Sequence, residues 1–480
     1  MDIVGLYDIF RKCGAVTTDT RTLKGGELFF ALKGENFDGN EYALKALEAG
    51  AAYAVVDSGS PVALSSSSDS RIIAVDDTLK TLQNLARWHR SMTFVDGKPL
   101  TVIALTGTNG KTTTKELIRE VLSVKYRVTA TEGNLNNSIG VPLTLLRIDS
   151  RTQIAVIEMG ASHLGDIKEL VDIALPDYGL ITNVGKAHLL GFGSFEGVMK
   201  TKGELYDYLR RTGDRVFLNA DNPHLCRMAS ERGLHNDPER PYSLVLPYGL
   251  GYRNARILET SAGHPFLRIA IPSGAGSLCG GQNELTVCTN LVGAYNADNV
   301  MAAIAVGEHF GISAEDAAAA LAAYVPSNSR SQMTATERNV LIVDAYNANP
   351  TSMEAALDNF ASFSSDRKAA MLGDMLELGE DSFAEHFRIV EKAMAMQICM
   401  LAFVGNEFGN VLREFAGTGK CSVVSESPDM LELYFGKCRI IWFAASGELA
   451  AWLGQNPVSD TAVLVKGSRG TRMEKVLASL

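Results

Sequence analysis

The chain has 480 residues, 46% apolar and 21% charged, which excludes wholesale disorder and leaves room for about three domains of ~150 residues. Lys and Arg total 45 against 55 Asp and Glu, a net charge of −10. That balance excludes a broad basic face for nucleic acid, while a few local cations would still suffice for an anionic small substrate. The seven cysteines are an odd set with no C-x-x-C pair, so a reducing compartment is expected and neither a disulfide framework nor a zinc site. The stretch MDIVGLYDIFRKCG holds Asp2 and Asp8 and lacks the apolar core of a signal peptide. No run reaches the ~18 apolar residues of a membrane span. A cytoplasmic protein without a membrane span is expected.

Residues 1–95 read as a small α/β unit. LFFAL (28–32) and YAVVD (53–57) have strand character, and the Ala-rich stretch 41–50 between them is helical. The Ser-rich run 64–70 reads as a loop. Leu79, Leu82, Leu85, Ala86 and Trp88 recur with a helical period and predict a helix over 78–92 leading out of this unit. A second unit, 96–325, opens on TVIALTG (101–107) and continues as a helix from Lys111 to about Val124. Further strands are predicted at 154–160, 178–185 and 215–221, and their alternation with helices implies a mostly parallel sheet. Residues 240–290, rich in Gly, Pro and Thr, predict an antiparallel flap, followed by helices at 294–309 and 313–324. The third unit, 326–480, has strand candidates at 340–346, 368–374, 399–405, 439–445 and 462–468, with helices between, and is expected to be a doubly wound parallel sheet. The expected fold is therefore α/β in three domains, each with its own core.

The chemistry concentrates first at Gly107, Thr108, Asn109, Gly110, Lys111, Thr112 and Thr113, where a strand turns into a helix. Glycines let backbone N–H groups approach phosphate oxygens, and the helix N-terminus favours negative charge. Lys111 would reach the β/γ-phosphates and Thr112 would bind Mg²⁺. Leu105 stands where the strict P-loop pattern has its first glycine, so only the shorter G-x-x-G-K-T core matches. Glu158 ends an apolar strand and would lie beside this loop if the two strands are neighbours, placed to hold a divalent cation. His188 sits in a loop after a parallel strand, where active-site groups collect. Lys200 and Lys202 by themselves read as a solvated helix face.

Longer motifs carry a resemblance. TDTRTLKGGELFFALKGENFDG (18–39), LTGTNGKTTTKE (105–116), GNLNNSIGVPLTLL (133–146), EMGASHLGDI (158–167), NVGKAHLLGFGS (183–194), GAYNADNVMAA (293–303), SNSRSQ (327–332) and DAYNANPTSM (344–353) resemble the Mur ligases, ATP-dependent amide-bond ligases of peptidoglycan precursor synthesis. DAYNANPTSM, LGDMLELGEDS (372–382) and LVKGSRGTRMEKV (464–476) resemble the member of that family that adds D-alanyl-D-alanine to UDP-MurNAc-tripeptide. The resemblance implies a uridine-nucleotide-binding first domain, a central P-loop ATPase domain and a Rossmann-like third domain. ATP would phosphorylate the tripeptide carboxylate, and the amine of D-Ala-D-Ala would displace phosphate from the acyl phosphate.

The resemblance further implies the cofactors ATP and two Mg²⁺ ions. Lys111 would contact phosphates, Thr112 and Glu158 would hold the first ion, His188 the second, and Lys202 would be carbamylated and support a metal. Asn296 and Asn299 match adenine-side positions, and Arg330 and Asp344 match residues that close on ATP. Thr20, Arg21 and Asn36 match the uridine-nucleotide domain, while Asn137 and Ser162 match the sugar–peptide side. The acceptor site is expected among Asn347, Asn349, Ser352, Lys466, Arg469 and Arg472, whose cations suit a carboxylate or, alternatively, form a solvated helix start. Tyr295 stands where many members have His. A monomer is expected. Folylpolyglutamate synthase is the nearest enzyme alternative, but it has no full domain ahead of its phosphate loop. A nucleotide-dependent switch is the non-enzyme alternative.

Overall fold

The computed structural model describes residues 1–65, 69–235, 244–260, 264–272, 284–327, 330 and 332–480. Residues 66–68 of the expected Ser-rich loop, and 240–243, 261–263 and 273–283 of the expected flap, lie outside the described residues.

The first unit is a four-stranded parallel sheet, ordered Val16–Thr17, Leu28–Phe30, Tyr53–Asp57, Ile72–Val75. The helix Thr78–Met92 starts on Asp77, whose side chain accepts the Lys80 N–H, a standard way to satisfy the open end of a helix. It does not simply lead out. It packs on helices Ile3–Cys13, Gly140–Leu146 and Asp166–Ala174, so its leucines join one apolar cluster that runs from Leu6 and Phe10 through Leu82 and Leu85 to Leu145 and Ile167. Arg90 adds a polar tie, donating to Asp177 at 2.9 Å and to the Leu175 carbonyl at 3.1 Å. The first unit therefore shares one face of its sheet with the central unit, while the other face keeps the separate core that was expected, with Phe29, Ala31, Ala46, Leu47, Ala54 and Val56.

The central sheet is parallel throughout and ordered Val128–Ala130, Ile154–Glu158, Thr101–Thr106, Tyr178–Ile181, Arg215–Asn219, Val245–Tyr248. The chain runs outward on one side of Thr101–Thr106, returns, and continues on the other. That reversal opens a crevice at the carboxyl ends of the strands, where ligands of such sheets bind. The flap expectation needs correction here. Val245–Tyr248 lies inside the predicted antiparallel region but pairs parallel at the edge of the central sheet. Pro247 hid it, and an edge strand is where a sheet tolerates a missing N–H. The described remainder of the flap is the antiparallel sheet Arg256–Ile257, Arg268–Pro272, Glu284–Cys288.

The C-terminal sheet has eight strands, ordered Gln332–Ala335, Asn339–Asp344, Thr461–Lys466, Lys368–Gly373, Met400–Val404, Cys438–Phe443, Met430–Phe435, Ser422–Glu426. Its five central strands are parallel, as expected. The outer strands Gln332–Ala335, Met430–Phe435 and Ser422–Glu426 pair antiparallel. Ser422–Glu426 is exposed along its whole length, so it lacks the apolar alternation that marks a strand in sequence.

Because Leu85 is fully buried where the first two units meet, Leu85→Ala is expected to cost about 2–5 kcal/mol. Urea unfolding should show it as an earlier midpoint common to probes in residues 1–95 and in the central sheet.

Candidate active site

The strand Thr101–Thr106 hands the chain to the helix Lys111–Ser123 through Gly107–Gly110. Two glycines are needed for shape. Gly107 has φ +146 and a Cβ there would stand 1.9 Å from Thr182 Oγ1; Gly110 has φ +77 and its Cβ would stand 2.6 Å from Asn299 Oδ1. The loop is fastened by its neighbour strand. Thr108 N–H donates to the Asn183 carbonyl (3.0 Å), Asn109 N–H to Asn183 Oδ1 (2.9 Å), and Thr182 Oγ1 to the Asn109 carbonyl (2.6 Å). Lys111 Nζ folds back onto the carbonyls of Gly107 (2.8 Å) and Thr108 (3.1 Å). Burial, then the charge of Arg330, pulls its pKa below the ordinary lysine value, against the pull of Glu158.

Glu158 stands beside the loop because Ile154–Glu158 pairs directly with Thr101–Thr106. Its side chain is 1% exposed. Oε1 accepts from Thr112 Oγ1 (3.1 Å) and from Asn136 Nδ2 (2.8 Å), while Oε2 is buried with no hydrogen-bond partner. A buried carboxylate oxygen left bare is costly unless a cation meets it. That is the observation by which these residues fit a divalent ion: Thr112 and Glu158 offer hard oxygen ligands, as Mg²⁺ requires. Among the described residues no group of three or more His, Cys, Asp and Glu side chains is clustered to hold a metal by itself. Phosphate oxygens and water would complete the shell, the usual case for Mg²⁺.

His188 and Lys202 flank the ring of Phe192, which sits 6.2 Å from the imidazole centroid and 5.5 Å from Lys202 Nζ. The reading of Lys202 as a solvated residue is corrected. Lys200 is exposed, but Lys202 is 2% exposed on the buried face of helix Phe195–Thr212, with Val198, Met199, Leu205, Tyr206 and Leu209. Burial, then the charge of Lys111, pushes its pKa well below the ordinary lysine value. His188 is likewise lowered by burial, against the raising effect of Glu377, so its ring tends to neutrality.

A cavity of about 790 Å³ runs along this crevice. Thr108–Lys111, Thr113, Glu158, His188, Asn137, Ser162, Asn296 and Asn299 line it from the central unit. The third unit contributes Arg330, Asp344, Asn347, Asn349, Ser352 and Lys466. Arg330 stacks on Tyr346 with its guanidinium 3.8 Å from the ring centroid, and its buried Nε lacks a hydrogen-bond partner. Lys466 Nζ bonds Asp344 Oδ2 (2.6 Å) and the Asn347 carbonyl (3.2 Å).

Several expected ligand groups are also used by the fold. Asn349 caps helix Pro350–Ser362 in a reciprocal box with Ser352 and donates to Asn109 Oδ1 at 2.7 Å, joining the third unit to the phosphate loop. Asn299 accepts from Thr114 Oγ1 and donates to Asn296 Oδ1, both at 3.0 Å. Asn137 accepts the Gly140 N–H and so starts the next helix. Thr20, Arg21 and Asn36 lie in the first unit and do not line the cavity; Arg21 is exposed and pairs with Asp19 at 2.7 Å. Arg469 and Arg472 are exposed and also outside its lining. Asn136, Thr182 and Asn183 were missed by sequence reasoning. Asn136 and Asn183 lie inside quoted motifs and Thr182 directly precedes one, but nothing in spacing tells which of Asn136 and Asn137 reaches Glu158.

Comparison with known proteins agrees with this layout. Family models match in three consecutive pieces: "Mur ligase family, catalytic domain" over residues 13–90, "Mur ligase middle domain" over 105–307 and "Mur ligase, glutamate ligase domain" over 329–469. The chain is 34% identical to UDP-N-acetylmuramoyl-tripeptide–D-alanyl-D-alanine ligase of Bacillus subtilis, covering 97% of this chain and 92% of that protein. It is 34% identical to the protein of the same name from Escherichia coli, covering 97% and 93%. A crystal structure of MurF from Acinetobacter baumannii superimposes with a TM-score of 0.78 at 27% identity, over 97% of this chain and 93% of that one. The fold also matches MurF ligase from Thermotoga maritima in complex with ADP, with a TM-score of 0.77 at 24% identity over 98% and 97%.

Gly107→Ala should close the phosphate loop against Thr182. Turnover is expected to fall by about 100-fold, since misplacement of reacting groups by about an ångström costs that much in rate, with ADP affinity by calorimetry also reduced and the fold retained by circular dichroism.

Proposed function

The chain belongs to the Mur ligase family, and from that premise we propose that it is the ATP-dependent ligase that joins D-alanyl-D-alanine to UDP-MurNAc-tripeptide. The products are UDP-MurNAc-pentapeptide, ADP and phosphate, and the step belongs to peptidoglycan synthesis. The observation that carries the reading is the bare, buried Oε2 of Glu158 beside a phosphate loop, in one cavity with the cations of the third unit. Such a cavity suits a reaction in which two anions must meet.

The chemistry follows from the substrates. A carboxylate is a poor electrophile, so its oxygen first attacks the γ-phosphorus of ATP; an O–P bond forms and the bond to ADP breaks. The dipeptide amine then attacks the acyl carbon, loses a proton, and phosphate departs with the carboxylate oxygen. Lys111 turns from its own loop carbonyls toward the β/γ-phosphates. Thr112 and Glu158 would hold one Mg²⁺, and His188 with a carbamylated Lys202 would support a second. Divalent cations there would draw charge from the phosphoryl oxygens and offset the repulsion between the anions. Burial keeps the Lys202 amine neutral to lower pH than an ordinary lysine, which is the form that takes up carbon dioxide.

Asn296 and Asn299 border the adenine, and Arg330 and Asp344 close over the nucleotide. Thr20, Arg21 and Asn36 receive the uridine nucleotide, and Asn137 and Ser162 the sugar–peptide portion. Asn347, Asn349, Ser352, Lys466 and Arg469 lie toward the dipeptide, whose carboxylate suits Lys and Arg. Among the described residues no helix is long and apolar enough to cross a membrane, and we infer a monomer acting in the cytoplasm.

Phosphate release should require both UDP-MurNAc-tripeptide and D-Ala-D-Ala, with the pentapeptide product identified by mass; phosphate release independent of the amine would contradict the reading. Lys202→Ala is expected to lower turnover by about 100-fold or more, with partial recovery in bicarbonate or formate. In the wild type, acid should suppress activity as Lys202 protonates, and added bicarbonate should move that limb to lower pH. A steady-state pH series at two bicarbonate concentrations checks this.

A further inference from the structure

The stretch LGDMLELGEDS (372–382) carries a carboxylate that the chemistry above leaves unused. Glu377 reaches from the third unit to the central one, and its Oε2 meets Nδ1 of His188. Its backbone carbonyl accepts the Leu190 N–H at 3.5 Å. Both partners are held in the left-handed backbone region, Glu377 at φ +65 and His188 at φ +51. Non-glycine residues rarely adopt it, and they persist there where surrounding contacts over-determine them.

The same loop is gripped again nearby. Lys186 Nζ pairs with Glu385 Oε1 at 2.9 Å, and the Glu385 side chain is 6% exposed. On its other side the loop is bonded to the phosphate loop, through Asn183 to Thr108 and through the Gly185 N–H to Thr108 Oγ1 (3.0 Å). One short segment, 183–188, therefore links the phosphate loop to the third unit.

Imidazole chemistry gives the Glu377 contact a purpose. A ring nitrogen facing a carboxylate carries the proton, so the neutral ring keeps its other nitrogen bare. Nε2 of His188 has no hydrogen-bond partner among the described residues. Histidines that bind cations commonly donate their second nitrogen to a carboxylate, which fixes both tautomer and aim.

We propose that Glu377 is a positioning residue for His188: supplied by the third unit, it holds the ring with Nε2 bare, so that this histidine is set to take a cation only when the third unit is seated on the phosphate loop. The proposal rests on the reading of His188 as a cation ligand. It ties cation binding to domain seating through one side chain rather than through closure in general.

The test uses the full-length protein with ADP and Mn²⁺ as the probe, in wild type, Glu377→Ala, Glu377→Gln, His188→Ala and the Glu377→Ala/His188→Ala pair. Calorimetry should show Mn²⁺ affinity reduced about 10–100-fold in Glu377→Ala. Glu377→Gln, which keeps an acceptor oxygen in the same shape, should lose less. His188→Ala and the double variant should be alike. Unchanged Mn²⁺ affinity in Glu377→Ala beside a loss in His188→Ala overturns the proposal and spares the reading of His188. Unchanged affinity in His188→Ala overturns both. Nitrogen NMR of the metal-free protein labelled at histidine gives a readout apart from the cation. His188 should be the Nδ1–H tautomer in wild type and lose that preference in Glu377→Ala; retention of the preference overturns the proposal. Should Glu377→Ala fail to fold, Glu377→Gln decides by the same two readouts.

Discussion

A carboxylate buried to 1% exposure, with one oxygen bonded by Thr112 and Asn136 and the other bare, is the constraint around which the central unit is organised. An isolated buried charge is strongly unfavourable, and the alternatives are protonation or a counter-ion. The surroundings favour the counter-ion. Thr112 opens the helix after the phosphate loop, and the strand carrying Glu158 pairs directly with the strand that feeds that loop. The phosphate loop and the Glu158 carboxylate are thus brought together by adjacent strands of one sheet rather than by distant loops.

The other units depend on that centre through specific contacts. The first is welded to the central sheet by the helix Thr78–Met92 and a continuous apolar core. The third touches it through polar groups, Asn349 on Asn109, Glu385 on Lys186 and Glu377 on His188, and through Val292 and Phe266 of the central unit, which join its apolar cluster.

The sequence disclosed the parallel strands well, because runs such as TVIALT and TAVLVK are continuously apolar and bounded by Gly or polar turns. It hid edge strands: Val128–Ala130 is three residues long, Val245–Tyr248 contains Pro247, and Ser422–Glu426 is exposed throughout. Lys202 was legible in principle. Val198, Met199, Leu205, Tyr206 and Leu209 recur on the same helical stripe, and that spacing places position 202 among them. The pairing of His188 with Glu377 was not legible, since 189 residues separate them and only the docking of two sheets brings them together. Likewise the stacking of Arg330 on Tyr346 is supplied by the fold alone.

The transfer of phosphate to an acid is the step that the cavity exists to permit, and oxygen labelling follows it directly. UDP-MurNAc-tripeptide labelled with ¹⁸O in its terminal carboxylate should deliver one labelled oxygen to the inorganic phosphate for each amide bond formed. Phosphate free of label, with product still accumulating, would contradict an acyl phosphate and with it the account of this site.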